Sequence, residues 1–153
     1  MMGQLSFTQW LLVGATVLMF IALLLPWWSV TAVFLGTFSL DGFHSWGWLS
    51  FVAWLVILFL DLRLIVGDRL VGPSVSGILT TPMTARSIVV AGVAELIGNF
   101  LFIAVAPSGS GAGYSAGIGA GVIIAIICGL AVTYAGLLLT GVAWLPKPKW
   151  IST

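Results

Sequence analysis

Trp46–Leu64, WGWLSFVAWLVILFLDLRL, decides the fold. No charged residue interrupts it before Asp61, and Arg63 follows near its end. Roughly 20 apolar residues cross a hydrocarbon core of about 30 Å, so the run is predicted to span a membrane. It lacks the dyad alternation of a transmembrane barrel strand. Backbone polar groups in lipid must pair within the segment, which leaves a helix. Working outward, three further runs read the same way: about Gln9–Pro26, Ser87–Ala106 and Gly117–Leu145. The last is long enough that it must tilt or protrude. With 61% hydrophobic and 6% charged residues among 153, the chain excludes a soluble globular class. The expected fold is an all-α membrane protein, a four-transmembrane-helix bundle forming one integral membrane domain over residues 1–153.

Charge sets the expected orientation. All five basic residues, Arg63, Arg69, Arg86, Lys147 and Lys149, fall in two of the intervals between runs. Cytoplasmic flanks carry the Lys and Arg excess, so both termini are expected inside a cytoplasmic membrane, with the first and third loops outside. Aromatic residues fall into matching belts. Trp27, Trp28, Trp46, Trp48 and Tyr114 would mark the outer interface, and Trp10, Trp144 and Trp150 the inner one. The first run also admits a signal-peptide reading, with Val30-Thr31-Ala32 as the cleavage site. Against it, Met1 to Thr8 contains no Lys or Arg, and the run ends in Pro26-Trp27-Trp28. Near-balance of Arg63, Arg69 and Arg86 with Asp61 and Asp68 argues against a polybasic lipid-binding segment. Thr81 before Pro82 reads as the start of the third helix. The lipid bilayer is the expected environment, and no nucleic-acid partner is expected.

The first outer loop is the most distinctive extramembrane segment. Ser29–Leu40, SVTAVFLGTFSL, places two β-branched and aromatic stretches around Leu35-Gly36, and Asp41-Gly42 supplies a turn. It reads either as a small β-hairpin on the outer surface or as an irregular loop pinned by its tryptophans. Asp41 and His44 do not make a metal site, which needs three or four ligands. No metal and no cofactor is expected. The single Cys128 cannot form an internal disulfide and reads as a small apolar packing residue.

Leu25-Pro26-Trp27-Trp28-Ser29, Ser39-Leu40-Asp41-Gly42-Phe43 and Trp46-Gly47-Trp48-Leu49 together resemble a pattern of small four-span membrane proteins of actinobacteria. The resemblance covers roughly Leu25 to Leu60. More distantly, the segment is similar to the first outer loop of claudins, where a β-segment carries a Trp, Gly, Leu, Trp motif. The two cysteines that follow that motif in claudins are absent here. Both resemblances imply an architecture and assign no activity.

Two intramembrane features carry the functional expectations. Glu95 lies near the middle of the third run, and an ionised acid there costs roughly 2.5 to 3.5 kcal/mol on insertion scales. It is therefore expected to be neutral, donating to a backbone carbonyl or to Thr16, Thr133 or Tyr134. Asn99 lies one turn away on the same face with Ala91, Gly92 and Gly98, a stripe expected to face protein. Glu95 reads either as a proton or cation relay or as interhelical glue. In the fourth run Gly113, Gly117, Gly121, Ala125, Gly129 and Thr133 recur at every fourth position. Such a ladder lets another backbone approach closely, within the bundle or in another copy.

The chain shows no nucleophile and base pair, phosphate loop, metal cluster or haem-ligand pair, so no enzymatic activity is expected. The expected role is an accessory, scaffold or assembly subunit, a homo-oligomer or docked to a larger membrane complex. The alternative is a small oligomeric proton- or cation-conducting channel or transporter using Glu95.

Overall fold

A computed structural model describes residues 7–66 and 81–141. Arg69, Lys147, Lys149, Trp144, Trp150 and the expected end of the fourth run at Leu145 lie outside the described residues. Helix α1 covers Phe7–Leu24, α2 Gly47–Val66, α3 Thr81–Val105 and α4 Ala120–Leu139. All four are long and apolar enough to cross a membrane. Pro26 and Pro107 follow the ends of α1 and α3, where a missing N–H and a fixed φ oppose further helix. At the end of α4 the Thr140 N–H reaches the Gly136 carbonyl and Gly141 takes φ 72°. That left-handed conformation closes a helix with glycine at little cost.

The helices pack as a ring of neighbours, α1 on α2, α2 on α3, α3 on α4 and α4 back on α1. Two apolar clusters fill the interior. One, at the sheet end, joins Met19, Leu23, Trp27, Phe102, Val122 and Cys128. The other, toward the far end, joins Leu12, Ile57, Leu60, Ile88, Val132 and their neighbours.

Both connections at the sheet end contribute strands. Of the two readings open for Ser29–Leu40, the hairpin is the one present: β1, Trp28–Ala32, pairs antiparallel with β2, Gly36–Leu40. Its three-residue loop Val33-Phe34-Leu35 closes on Gly36 at φ 82°, the left-handed residue such loops require. The second connection adds β3, Gly109–Gly111, and β4, Tyr114–Ile118, and β4 pairs with β1. The result is one antiparallel sheet in the order β2-β1-β4-β3.

This sheet corrects the fourth run. Its helix begins at Ala120, so Gly113 and Gly117 are not rungs of a helical ladder. Gly113, at φ 91°, forms the β3–β4 turn, and Gly117 pairs with Ser29 inside β4. Pairing with β1 wins over helix because Gly119 lets the chain pass the α1 exit. There the Gly119 N–H donates to the Trp27 carbonyl at 2.8 Å, and a Cβ would stand 2.0 Å from the Pro26 carbonyl oxygen.

Candidate functional site

Within α4 the remaining small residues, Gly121, Ala125, Gly129 and Thr133, face neighbouring helices of the same chain. A Cβ on Gly121 would meet Trp27 Cδ1 at 2.5 Å and the Ala22 carbonyl oxygen at 2.8 Å. One on Gly129 would stand 2.9 Å from Leu96 Cδ2. On the facing helix, a Cβ on Gly92 would lie 2.5 Å from Thr133 Oγ1. The stripe therefore serves internal packing, where small residues let helix backbones gain dispersion contacts.

Glu95, Asn99 and Ser50 form a polar layer in the bundle interior. Glu95 and Asn99 are both 0% exposed. The Ser50 hydroxyl stands 2.7 Å from Asn99 Oδ1 and 3.3 Å from the Glu95 carbonyl oxygen. Gly98 makes this approach feasible, since a Cβ there would meet Ser50 Oγ at 2.8 Å. Asn99 thus ties α3 to α2 through a partner that the sequence reading did not name. Glu95 differs from expectation: among the described residues neither carboxyl oxygen has a hydrogen-bond partner, and neither does Asn99 Nδ2. Two expected partners are engaged elsewhere. Thr133 donates to the carbonyl of Gly129 on its own helix at 2.8 Å, and Thr16 donates to Asp61.

Asp61 is a second interior acid, assigned by sequence to the cytoplasmic interval. It is 4% exposed. The Thr16 hydroxyl donates to its Oδ2, while Oδ1 has no hydrogen-bond partner among the described residues. Arg63, also buried, reaches Thr84 Oγ1 through Nη1 at 3.1 Å. The signal was legible: Ser50, Ala53, Ile57, Leu60 and Asp61 follow helical spacing on one face, and α2 continues to Val66. Between Ser50 and Asp61, about 16 Å apart at 1.5 Å rise per residue, that face carries the buried apolar residues Ala53, Ile57 and Leu60.

At the sheet end the aromatics divide. Trp27 is 0% exposed and belongs to the core, a correction to its expected interfacial place. Its indole N–H donates to the Ala22 carbonyl at 2.8 Å, and its ring meets Phe102 edge-on. A buried indole needs such a partner. Trp46 and Trp48 are exposed, while Trp28 is half-buried and donates to the Pro107 carbonyl at 2.6 Å. Asp41 Oδ1 accepts from the Phe43 N–H at 3.0 Å and lies 2.7 Å from His44 Nδ1, organising the turn into α2.

The sheet has unlike faces. Trp28, Val30 and Ala32 align with Leu40, Phe38 and Gly36 on one side and with Ile118, Ala116 and Tyr114 on the other. The opposite face carries Ser29, Thr31, Thr37, Ser39 and Ser115, with Thr31 and Thr37 hydroxyls 3.0 Å apart. Such alternation belongs to a sheet with one apolar side. The apolar side is incompletely covered: Phe38 and Tyr114 are more than half exposed, and the hairpin tip Val33-Phe34-Leu35 projects with Phe34 95% exposed. The chain matches no known family profile and no curated protein, so neither resemblance is supported beyond the four membrane-length helices.

Proposed function

We propose that the protein is a non-enzymatic accessory or assembly subunit of the cytoplasmic membrane, a four-helix bundle with both termini inside, which meets a membrane-protein partner through its outer sheet. The exposed hairpin tip carries this reading. Val33, Phe34 and Leu35 are consecutive, apolar and open, and Ser29–Leu40 contains no charged residue. Strand β2 forms one edge of the sheet without the Lys or Pro that blunts free edges, so it presents backbone groups to another strand. Contiguous exposed apolar surface marks interaction sites.

The test is gentle-detergent purification of the parent and of a Phe34→Ser, Leu35→Ser variant. A stoichiometric partner, another membrane protein or a second copy, should accompany the parent and be lost with the variant, whose thermal midpoint should be unchanged. Retention of the partner by the variant, or solitary monomeric parent protein, overturns the reading. Orientation is checked separately. Cysteines at Ser39 and Ser110, both exposed on the sheet, should label together from outside intact cells, and one at Ser76 should not. External labelling at Ser76 would reverse the orientation.

One observation favours a second reading, proton or cation conduction: the interior carboxyl of Glu95, which has no hydrogen-bond partner among the described residues. Intramembrane acids recur in proton pathways. The buried Ala53, Ile57 and Leu60 between the Ser50 level and Asp61 weigh against a continuous polar path, so conduction stands second.

A further inference from the structure

A groove of about 460 Å³ runs along the outside of the bundle between α2 and α3. Its walls are apolar, with Leu49, Val52 and Val56 from α2 facing Val90 and Ala94 from α3. Polar groups enter only at the far end, where Arg86 and Ser87 line it. Arg86 is exposed and has no ion-pair partner among the described residues. From Met83 to Ala94 the α3 wall is about 16 Å long at 1.5 Å rise per residue. Half of a hydrocarbon core of about 30 Å is about 15 Å, so the groove, which on α2 runs on to Leu49 beside Gly98, is at least one leaflet deep.

We propose that this groove holds one acyl chain of an anionic phospholipid whose phosphate is bound by Arg86. The guanidinium sits one turn inside Met83, from where a long basic side chain reaches the headgroup level while its stem stays along apolar surface. Its planar fork of donors matches phosphate oxygens. Ser87 beside it supplies a hydroxyl. A second copy of the chain fits less well. Among the described residues, Asp61 and Glu95 are buried and Asp41 lies at the sheet end, so none of these acids of a parallel copy meets Arg86. The proposal rests on membrane placement and is independent of the partner at the sheet.

The probes are phosphatidylglycerol and phosphatidylcholine of equal chain length, added to delipidated full-length protein in detergent and counted by native mass spectrometry. The parent should retain one phosphatidylglycerol, preferred over phosphatidylcholine by about five-fold, the worth of roughly one basic residue against an anionic lipid. Arg86→Gln should abolish the preference, and Arg86→Lys should keep most of it. Ala94→Phe fills the groove from its half-buried wall and should reduce retention of both lipids. An unchanged melting midpoint in each variant shows that folding is not the cause. Equal retention of the two lipids by the parent overturns the phosphate assignment. Retention unaffected by Arg86→Gln and Ala94→Phe places the lipid elsewhere. A dimer that Ala94→Phe converts to monomer makes a second copy the occupant, and that too overturns the proposal.

Discussion

Gly117 and Gly121 stand one helical repeat apart in sequence, yet they occupy opposite kinds of space. Gly121 is wedged against Trp27 and the last carbonyls of α1, whereas a Cβ on Gly117 would meet nothing within 4 Å. Spacing by four defines a shared face only where the chain is already helical. Above Gly119 the chain is strand, and the same spacing places Gly113 in a turn and Gly117 in β4. The contrast separates the molecule into two regions. In the bundle, Gly92, Gly98, Gly121 and Gly136 are closely faced by backbone atoms of other segments of the same chain. In the sheet, Gly36, Gly109, Gly113 and Gly117 are loosely surrounded, and Phe34, Phe38 and Tyr114 remain open.

The sharpest way to break that contrast is to place one side chain at both positions. Gly121→Leu should abolish or severely reduce folded protein, since overpacking costs about 1–3 kcal/mol and more where backbone cannot yield. Here two of the three nearest atoms are carbonyl oxygens. Gly117→Leu should change stability by less than about 0.5 kcal/mol, as surface substitutions do. Monodisperse yield and thermal midpoint in detergent read both. Parental behaviour of Gly121→Leu would show that the α4 stripe is not an internal contact.

A smaller effect is expected at the α1–α2 contact. Thr16→Val removes the hydroxyl that donates to the buried Asp61 carboxyl and leaves shape nearly unchanged. A buried polar group stripped of its partner costs about 1–3 kcal/mol. The Trp54 indole donates to the Thr16 backbone carbonyl at 2.9 Å and is untouched, so the loss isolates the Asp61 bond. Asp61→Leu in the Thr16→Val background should recover much of it, because replacing both partners by apolar groups is nearly neutral. Failure of the double variant to recover would mean that Asp61 holds a further essential contact.

The four helices were legible because each is a continuous apolar run, a signal that needs no knowledge of neighbours. The β1–β2 hairpin was legible as one of two alternatives for its segment, because its β-branched residues, loop and Gly36 are adjacent in sequence. Strands β3 and β4 were not. Gly109, Gly111, Gly113 and Gly117 give them little intrinsic strand preference, and what stabilises β4 is pairing with β1, some 85 residues earlier in the chain. Trp27 was misplaced for the mirror-image reason. A tryptophan after a span reads as interfacial, and only packing against Phe102 and Gly121 puts it in the core. Asp61 falls inside the second run, but its charge groups it in sequence with the arginines of the cytoplasmic interval and not with the bundle interior. Its partner Thr16 lies on another helix, beyond any local pattern.

Glu95 should show the smallest change in stability and separates the two functional readings most cleanly. Its carboxyl makes no hydrogen bond among the described residues, so the side chain contributes burial without a compensating bond. Glu95→Gln keeps the shape and removes the exchangeable acid; Glu95→Leu removes the polar group altogether. Replacing an unsatisfied buried group by an apolar one is neutral to stabilising, so the Leu variant should match the parent or gain about 1 kcal/mol. Asn99 keeps Ser50 in either case, because that contact does not involve the carboxyl. A clear loss of stability in Glu95→Leu would show that Glu95 is bonded in the folded protein after all. Function is read in liposomes holding the purified protein and an imposed pH gradient. An accessory subunit leaves the gradient intact in the parent and in both variants. Rapid collapse in the parent, abolished by Glu95→Gln with folded protein retained, establishes conduction through the interior and replaces the accessory reading. The same stability measurement then acquires a second meaning: an acid that weakens the fold it sits in is kept for what it transfers.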